Sequence, residues 1–313
     1  MRTGDRRQGS GFRGSWFAAL AVLLAAGCAS PKAAQFTDAD WVSHATTGRG
    51  AYERGDYRRA AEAYGRAQQR ARALDDAEAL AVAAVNRATC LVAAGQAADA
   101  PAGLDEALAD GRISPARRAE LLVAAARAEV ALGKPDAVLA RVAAARKLDP
   151  APALKAQALL AQAGAELARK EPAAAMQALA DMPAKEWARL PESLQAERAE
   201  MRAAIAVAEQ KPADALASSD EAARWWKQAG RLPEMARALA AAGRQAQAGD
   251  DFAGAADRFY RAARSLWAQG LQPEAVRVLE EGVGAAERLD DEAVAKKMAE
   301  LFVTFKAGRR LEQ

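Results

Sequence analysis

The side chains best suited to chemistry are few and stand far apart. His44 is the sole histidine. A metal site needs several ligands at matched spacing, and no cysteine pair lies near it. General-base work needs an orienting partner that its neighbours do not supply. His44 therefore reads as a structural or surface residue. The two cysteines, Cys28 and Cys90, sit in unlike settings and predict no bridge. Cys90 lies among Ala88, Leu91 and Val92, where a buried, inert thiol is expected. Acidic neighbours such as Glu280-Glu281 suit a solvated helix face. No glycine-rich phosphate loop follows a strand, because no strand pattern is present. The sequence thus predicts no enzyme, no metal and no cofactor.

Trp225-Trp226 is the most unusual dipeptide. Neighbours on a helix point about 100° apart, so one ring is expected to pack and the other to stand half exposed. The pairs Arg58-Arg59, Arg117-Arg118 and Arg309-Arg310 are scattered, balanced by acids and not interleaved with aromatics. That argues against nucleic acid as a partner. The net charge of +3 points the same way. Of 44 basic and 41 acidic residues, four and one fall within residues 1–27, so the remainder is neutral. A basic footprint for nucleic acid is lacking.

Residues 1–15 are polar and basic, and residues 16–26 are an uninterrupted apolar run. That run is too short for a membrane-spanning helix, which needs about 20 residues, and fits the hydrophobic region of a secretory signal. It ends in Leu24-Ala25-Ala26-Gly27-Cys28, which resembles the lipobox of bacterial lipoprotein precursors, with Ala25 where that family usually has Leu. The resemblance implies a signal peptide over 1–27 and lipid on Cys28, with acyl chains on its sulfur and new amino group. Two or more chains anchor stably where one is marginal. Ala29, rather than Asp, follows the cysteine, and in that family this favours the outer membrane, on its periplasmic face, over the inner. Residues 28–37 then read as a tether. Their reach of about 30 Å, at roughly 3.3–3.6 Å per residue, holds the remaining chain close to the bilayer.

The elements that position everything else are helices. Alanine dominates, aromatics make up 5%, and no β-branched alternation occurs. Alanine is the best helix former and permits close helix contacts. In residues 52–67, Gly55-Asp56 breaks one helical pattern. Tyr57, Ala60, Tyr64 and Ala67 then mark the face of a second helix. With Gly48 before them, these residues resemble the tetratricopeptide repeat: a glycine in the first helix, a Gly-Asp-aromatic turn, then Ala, aromatic and Ala down the second. The pattern recurs at Gly95, Gly133, Glu171-Pro172, Lys211-Pro212 and Asp251-Phe252, and Gly270 starts a last, incomplete unit. Thr37 is expected to cap the first helix. Residues 291–305 read as a polar helix that caps the array. The aromatic of each unit is expected to fill the gap between neighbouring pairs.

The expected fold is an all-α, right-handed superhelical solenoid of about six antiparallel helix pairs over residues 38–313. The resemblance further implies that the first helix of each pair lines a concave face that often holds a peptide. Carried over, the inward side chains are Arg49, Tyr52, Glu53, Arg127, Arg237, Arg244 and Gln247. Between them the positions are apolar, at Val85, Val92, Leu160 and Leu167. Such a groove suits an extended or helical segment of another protein. An array in which the middle repeats pack together and leave no open groove is the alternative. The function expected is a lipid-anchored interaction scaffold in the bacterial envelope, serving assembly of an envelope complex. An activator or enzyme of cell-wall glycan, and a passive spacer, are the other readings.

Overall fold

A computed structural model describes residues 36–289 and 291–307. The leader, Cys28 and residues 29–35 lie outside the described residues, as do Asp290 and Arg309-Arg310. Among the described residues every regular element is a helix. Helices α1 (Ala39–Glu53) and α2 (Tyr57–Ala73) form the first pair. The second is α3 (Ala77–Ala93) with α4 (Pro101–Ala109), the third α5 (Pro115–Ala131) with α6 (Pro135–Arg146). The fourth is α7 (Pro152–Ala168) with α8 (Pro172–Ala180), followed by a one-turn insertion, α9 (Ala184–Trp187). Then come α10 (Glu192–Ala208) with α11 (Pro212–Gln228), α12 (Leu232–Ala248) with α13 (Phe252–Ala268), and α14 (Gln272–Ala286) with α15 (Glu292–Lys306).

Neighbours in sequence pack against each other along the array. The first helices of successive pairs also touch: α3 lies on α5, α5 on α7, and α7 on α10. The fold is therefore an all-α solenoid of antiparallel pairs, with first helices gathered on one side. The core is a string of alanine-rich clusters rather than one centre. Val85 and Leu160 belong to it, so they are core residues and not the walls of an open groove. Val92 and Leu167 are half-buried against the same clusters.

Two devices repeat along the chain. The first is the turn. Gly55, Gly95, Gly133, Gly230 and Gly270 adopt positive φ, and so do Asp75, Asp149, Lys170, Gln210 and Asp250. At the first turn Gly55 N–H donates to Tyr52 O and Asp56 N–H to Ala51 O, closing the carbonyls that a helix end leaves open. A helix restarts at once, from an aspartate cap at Asp56, Asp76 and Asp251 or from an early proline. The same geometry serves turns within pairs and turns between them. This corrects two expectations. Gly270 does not open a partial repeat. It is the turn between pairs six and seven, and α14 is the first helix of a complete pair. The cap of α1 is Asp38, whose carboxylate accepts from Trp41 N–H at 2.9 Å, rather than Thr37.

The second device is a glycine placed under an aromatic ring. A Cβ added to Gly48 would stand 2.8 Å from Cε2 of Tyr64, and one on Gly243 would stand 3.0 Å from Cε1 of Phe259. The missing side chains let the two helices of a pair close on each other. Phe259 also lies against Gly282 of the following pair, so it bridges pairs as expected, whereas Tyr64 packs on the glycine of its own pair. Burying each ring contributes about 1.5–3 kcal/mol. Where the pattern lapses, after the fourth pair, the insertion supplies the filler. Trp187 is fully buried beside Met182 and Leu179, and its indole N–H donates to Leu179 O at 3.2 Å.

Arginine–carboxylate pairs join one repeat to the next. Arg72 meets Glu106, Arg112 meets Asp75, Arg141 meets Asp105, Arg237 meets Glu274, and Arg244 meets Glu281. The partners stand 34 to 37 residues apart, close to one period of the array. Exposed pairs of this kind each contribute about 0–1 kcal/mol, so they fix register more than they add stability.

Candidate partner-binding face

Tyr52 sits in the last turn of α1, and the left-handed turn at Gly55 brings Tyr57 beside it, with ring centroids 5.3 Å apart. Both rings meet α12, a helix more than 170 residues further along the chain. The Tyr57 hydroxyl donates to Glu234 Oε1 at 2.5 Å. It also accepts from Arg231 at 3.4 Å and from Arg237 at 3.5 Å. The Arg231 guanidinium lies 4.4 Å from the Tyr52 ring centre, and that of Arg237 lies 5.8 Å from the Tyr57 ring. Pro233 closes on the turn itself, 3.2 Å from where a Cβ on Gly55 would stand. The array has curved far enough for its first turn to touch its sixth pair.

Further inward, Arg127 of α5 reaches Glu197 of α10 at 3.3 Å, across 70 residues. Tyr52 lies within the electrostatic reach of Arg127, Glu197, Arg231 and Glu234. First helices from the first, third, fifth and sixth pairs therefore converge on one tyrosine. The charges are arranged in mutual support. Burial disfavours the Glu234 carboxylate, but the Arg231 hydrogen bond and charge outweigh it, and its pKa falls. Burial equally disfavours the Arg231 cation, and the bond to Glu234 reverses that. Burial raises both tyrosine hydroxyls above their usual range, with the Glu234 charge adding to the effect at Tyr57. Glu234 Oε2 is buried without a hydrogen-bond partner among the described residues.

Glu200 of α10 lies next to this cluster. Its side chain remains accessible to solvent, while neighbouring protein atoms crowd its carboxyl. That desolvation lifts its carboxyl to about 7, against the opposing effect of a hydrogen bond from Trp226 Nε1 at 2.7 Å. The two tryptophans divide as expected: Trp226 is buried, and Trp225 is half-buried with its N–H toward Glu221.

The residues expected on the concave face separate into three groups. Tyr52, Arg127 and Arg237 are drawn into the cluster. Arg237 and Arg244 are also held by α14, through Glu274 at 2.7 Å and Glu281 at 2.6 Å. Arg49 and Glu53 are exposed on α1 and Gln247 is half-buried near the end of α12, with no hydrogen bond or ion pair to the cluster among the described residues. Sequence reasoning missed Glu197, Glu200, Arg231 and Glu234, and gave Tyr57 only a turn-forming role. His44 is half-buried on α1, and Cys90 is buried, as expected. Among the described residues no group of acidic, histidine or cysteine side chains has the arrangement of a metal site. No helix there is long and apolar enough to cross a membrane.

No family model matches the chain, and no curated protein matches it. Among solved structures, it aligns with the TPR2AB-domain:pHSP90-complex of yeast Sti1 at 16% identity and a TM-score of 0.34, covering 85% of this chain and 98% of that one.

Proposed function

We propose that the chain is a protein-interaction scaffold that takes a segment of another protein on its concave side. The observation that supports this most is the convergence of first helices from four pairs on Tyr52, which gathers aromatic rings and charges of both signs in one concavity. Aromatic rings and arginines are the side chains that most often anchor protein contacts. Mixed charge of this kind orients a polar or helical segment by complementarity. The lipobox-like residues support a further reading: Cys28 carries lipid, the array stands on the periplasmic face of an outer membrane, and its partner is another envelope protein.

The test is capture from the native envelope. Exchanging Tyr52 and Arg127 for alanine should reduce recovery of a specific partner while leaving the helical circular dichroism in place. Recovery at the wild-type level would remove this face as the binding site. A second reading, the passive spacer, is favoured by the internal pairing of Arg237 and Arg244, and it predicts that no specific partner is recovered at all.

A further inference from the structure

Along most of the array, adjacent helices meet through continuous apolar packing. Where the first hairpin meets α12 the contact is of another kind. It comprises the Tyr57–Glu234 hydrogen bond, two bonds from Arg231 and Arg237 to the Tyr57 hydroxyl, their guanidiniums over the two rings, and the edge of Pro233 against Gly55. Small polar contacts of this sort open at low free energy while a packed core stays intact. We propose that the first hairpin is a reversible clasp: Tyr52 and Tyr57 close the superhelix onto Arg231, Glu234 and Arg237, and the concave face is entered when this contact opens. The gating part of this inference rests on the binding reading above; the clasp itself does not.

The geometry supports both halves. Tyr52 lies within electrostatic reach of the Arg127–Glu197 pair, which joins α5 to α10 at 3.3 Å on the same side of the array. With the clasp shut, the Arg127 and Glu197 side chains are only partly covered, at 35% and 24% exposure. The arginines that receive the tyrosines are each paired with a carboxylate on their own side of the contact. Arg237 is held by Glu274 and Arg231 by Glu234, so the receiving surface stays formed when the hairpin leaves.

Closure is tested with a crosslink in the full chain. A Cβ on Gly55 stands 3.7 Å from Cβ of Pro233, inside the window of about 3.5–4.5 Å that a disulfide requires. The variant Gly55→Cys/Pro233→Cys should form a bond within one chain on mild oxidation, seen as a linked peptide by mass spectrometry. No linked peptide, or links only between chains, would overturn the closed state.

Gating is tested with a maleimide as probe. Glu197→Cys is labelled in the parent chain and alongside Tyr57→Phe/Arg231→Glu, which sets a carboxylate against Glu234. Peptide mapping isolates the reaction at residue 197 from that at Cys28 or Cys90. Labelling should be several-fold faster in the opened chain, measured at a temperature where both chains keep their full helical circular dichroism. The milder Tyr57→Phe/Arg231→Gln should fall between the two, and it carries the comparison if the first variant melts early. Equal rates throughout would overturn the gate. Neither assay uses a partner, so their failure leaves the binding reading standing. Absence of any partner on an opened chain would remove that reading and leave the clasp.

Discussion

The hydroxyl of Tyr57 donates to Glu234 across 2.5 Å of space and 177 residues of chain. Tyr57 starts α2 and Glu234 lies in the first turn of α12. Their meeting is a property of the whole curve between them, because no single repeat fixes it.

A double-mutant cycle reads that contact directly. Tyr57→Phe and Glu234→Gln each remove one partner, and a hydrogen bond to a charged group contributes about 1.5–3 kcal/mol. Urea unfolding should return a coupling energy of about 1 kcal/mol or more between the two sites. Strict additivity would mean that the hydroxyl and carboxylate do not meet in solution.

The glycines give opposite signs for one chemical change. Gly48→Ala would drive a methyl into the Tyr64 ring. Overpacking of this kind costs about 1–3 kcal/mol, more than the roughly 1 kcal/mol that alanine gains in helix propensity. Gly284, also helical, has no atom within 4 Å of its Cβ position. Gly284→Ala should therefore stabilise the chain by up to about 1 kcal/mol. The comparison is made in matched urea titrations, and destabilisation by both would show that helix nesting is not the cause.

Glu200 predicts a pH dependence. Its folded pKa is raised from an ordinary 4.5 to about 7, so the folded state holds more protons than the unfolded state between those values. Stability from this group is fully present below pH 4.5 and is lost as pH rises through 7. Glu200→Gln keeps the shape and removes the titration. Its melting temperature should vary less than that of the parent over this window; identical pH profiles would contradict the raised value. Asp38 acts in the opposite sense and in a separate window. The hydrogen bond from Arg70 lowers its pKa to about 2, so its contribution is lost as pH falls through that range.

The anchor has its own test. Cys28→Ser should move the protein from the membrane pellet to the soluble fraction of a bacterial host, since the residue that would carry the acyl chains is gone. Continued sedimentation with membranes would remove lipid at Cys28 from the account.

What could be read from the sequence was whatever repeats locally. Gly48, Gly55-Asp56, Tyr57 and Tyr64 lie within one pair, so their spacing marked that hairpin, although Tyr64 was expected between pairs and packs on Gly48 within its own. The turns were legible as turns, but the same left-handed closure appears within pairs and between them, so Gly270 was open to misreading. Trp187 escaped notice because it fills the core from an insertion outside the repeat pattern. The partners of Arg237 and Arg244 were present one period ahead, at Glu274 and Glu281, and a search for opposite charges at that offset would have found them. The meeting of Tyr57 with Glu234 had no such signal, since it depends on rotation accumulated over five pairs. That is why Tyr52, Arg127 and Arg237 were foreseen as members of one face, while Arg231, Glu234 and Glu197 were not.

The most direct test of the scaffold reading is photo-crosslinking in intact cells. A photoreactive residue placed at Glu197, on the concave side, is compared with one at Glu62, exposed on α2. The account predicts a discrete adduct with another protein from position 197, strengthened by Tyr57→Phe/Arg231→Glu, and none from position 62. Adducts from position 62 alone, or from neither position in the opened chain, would contradict it.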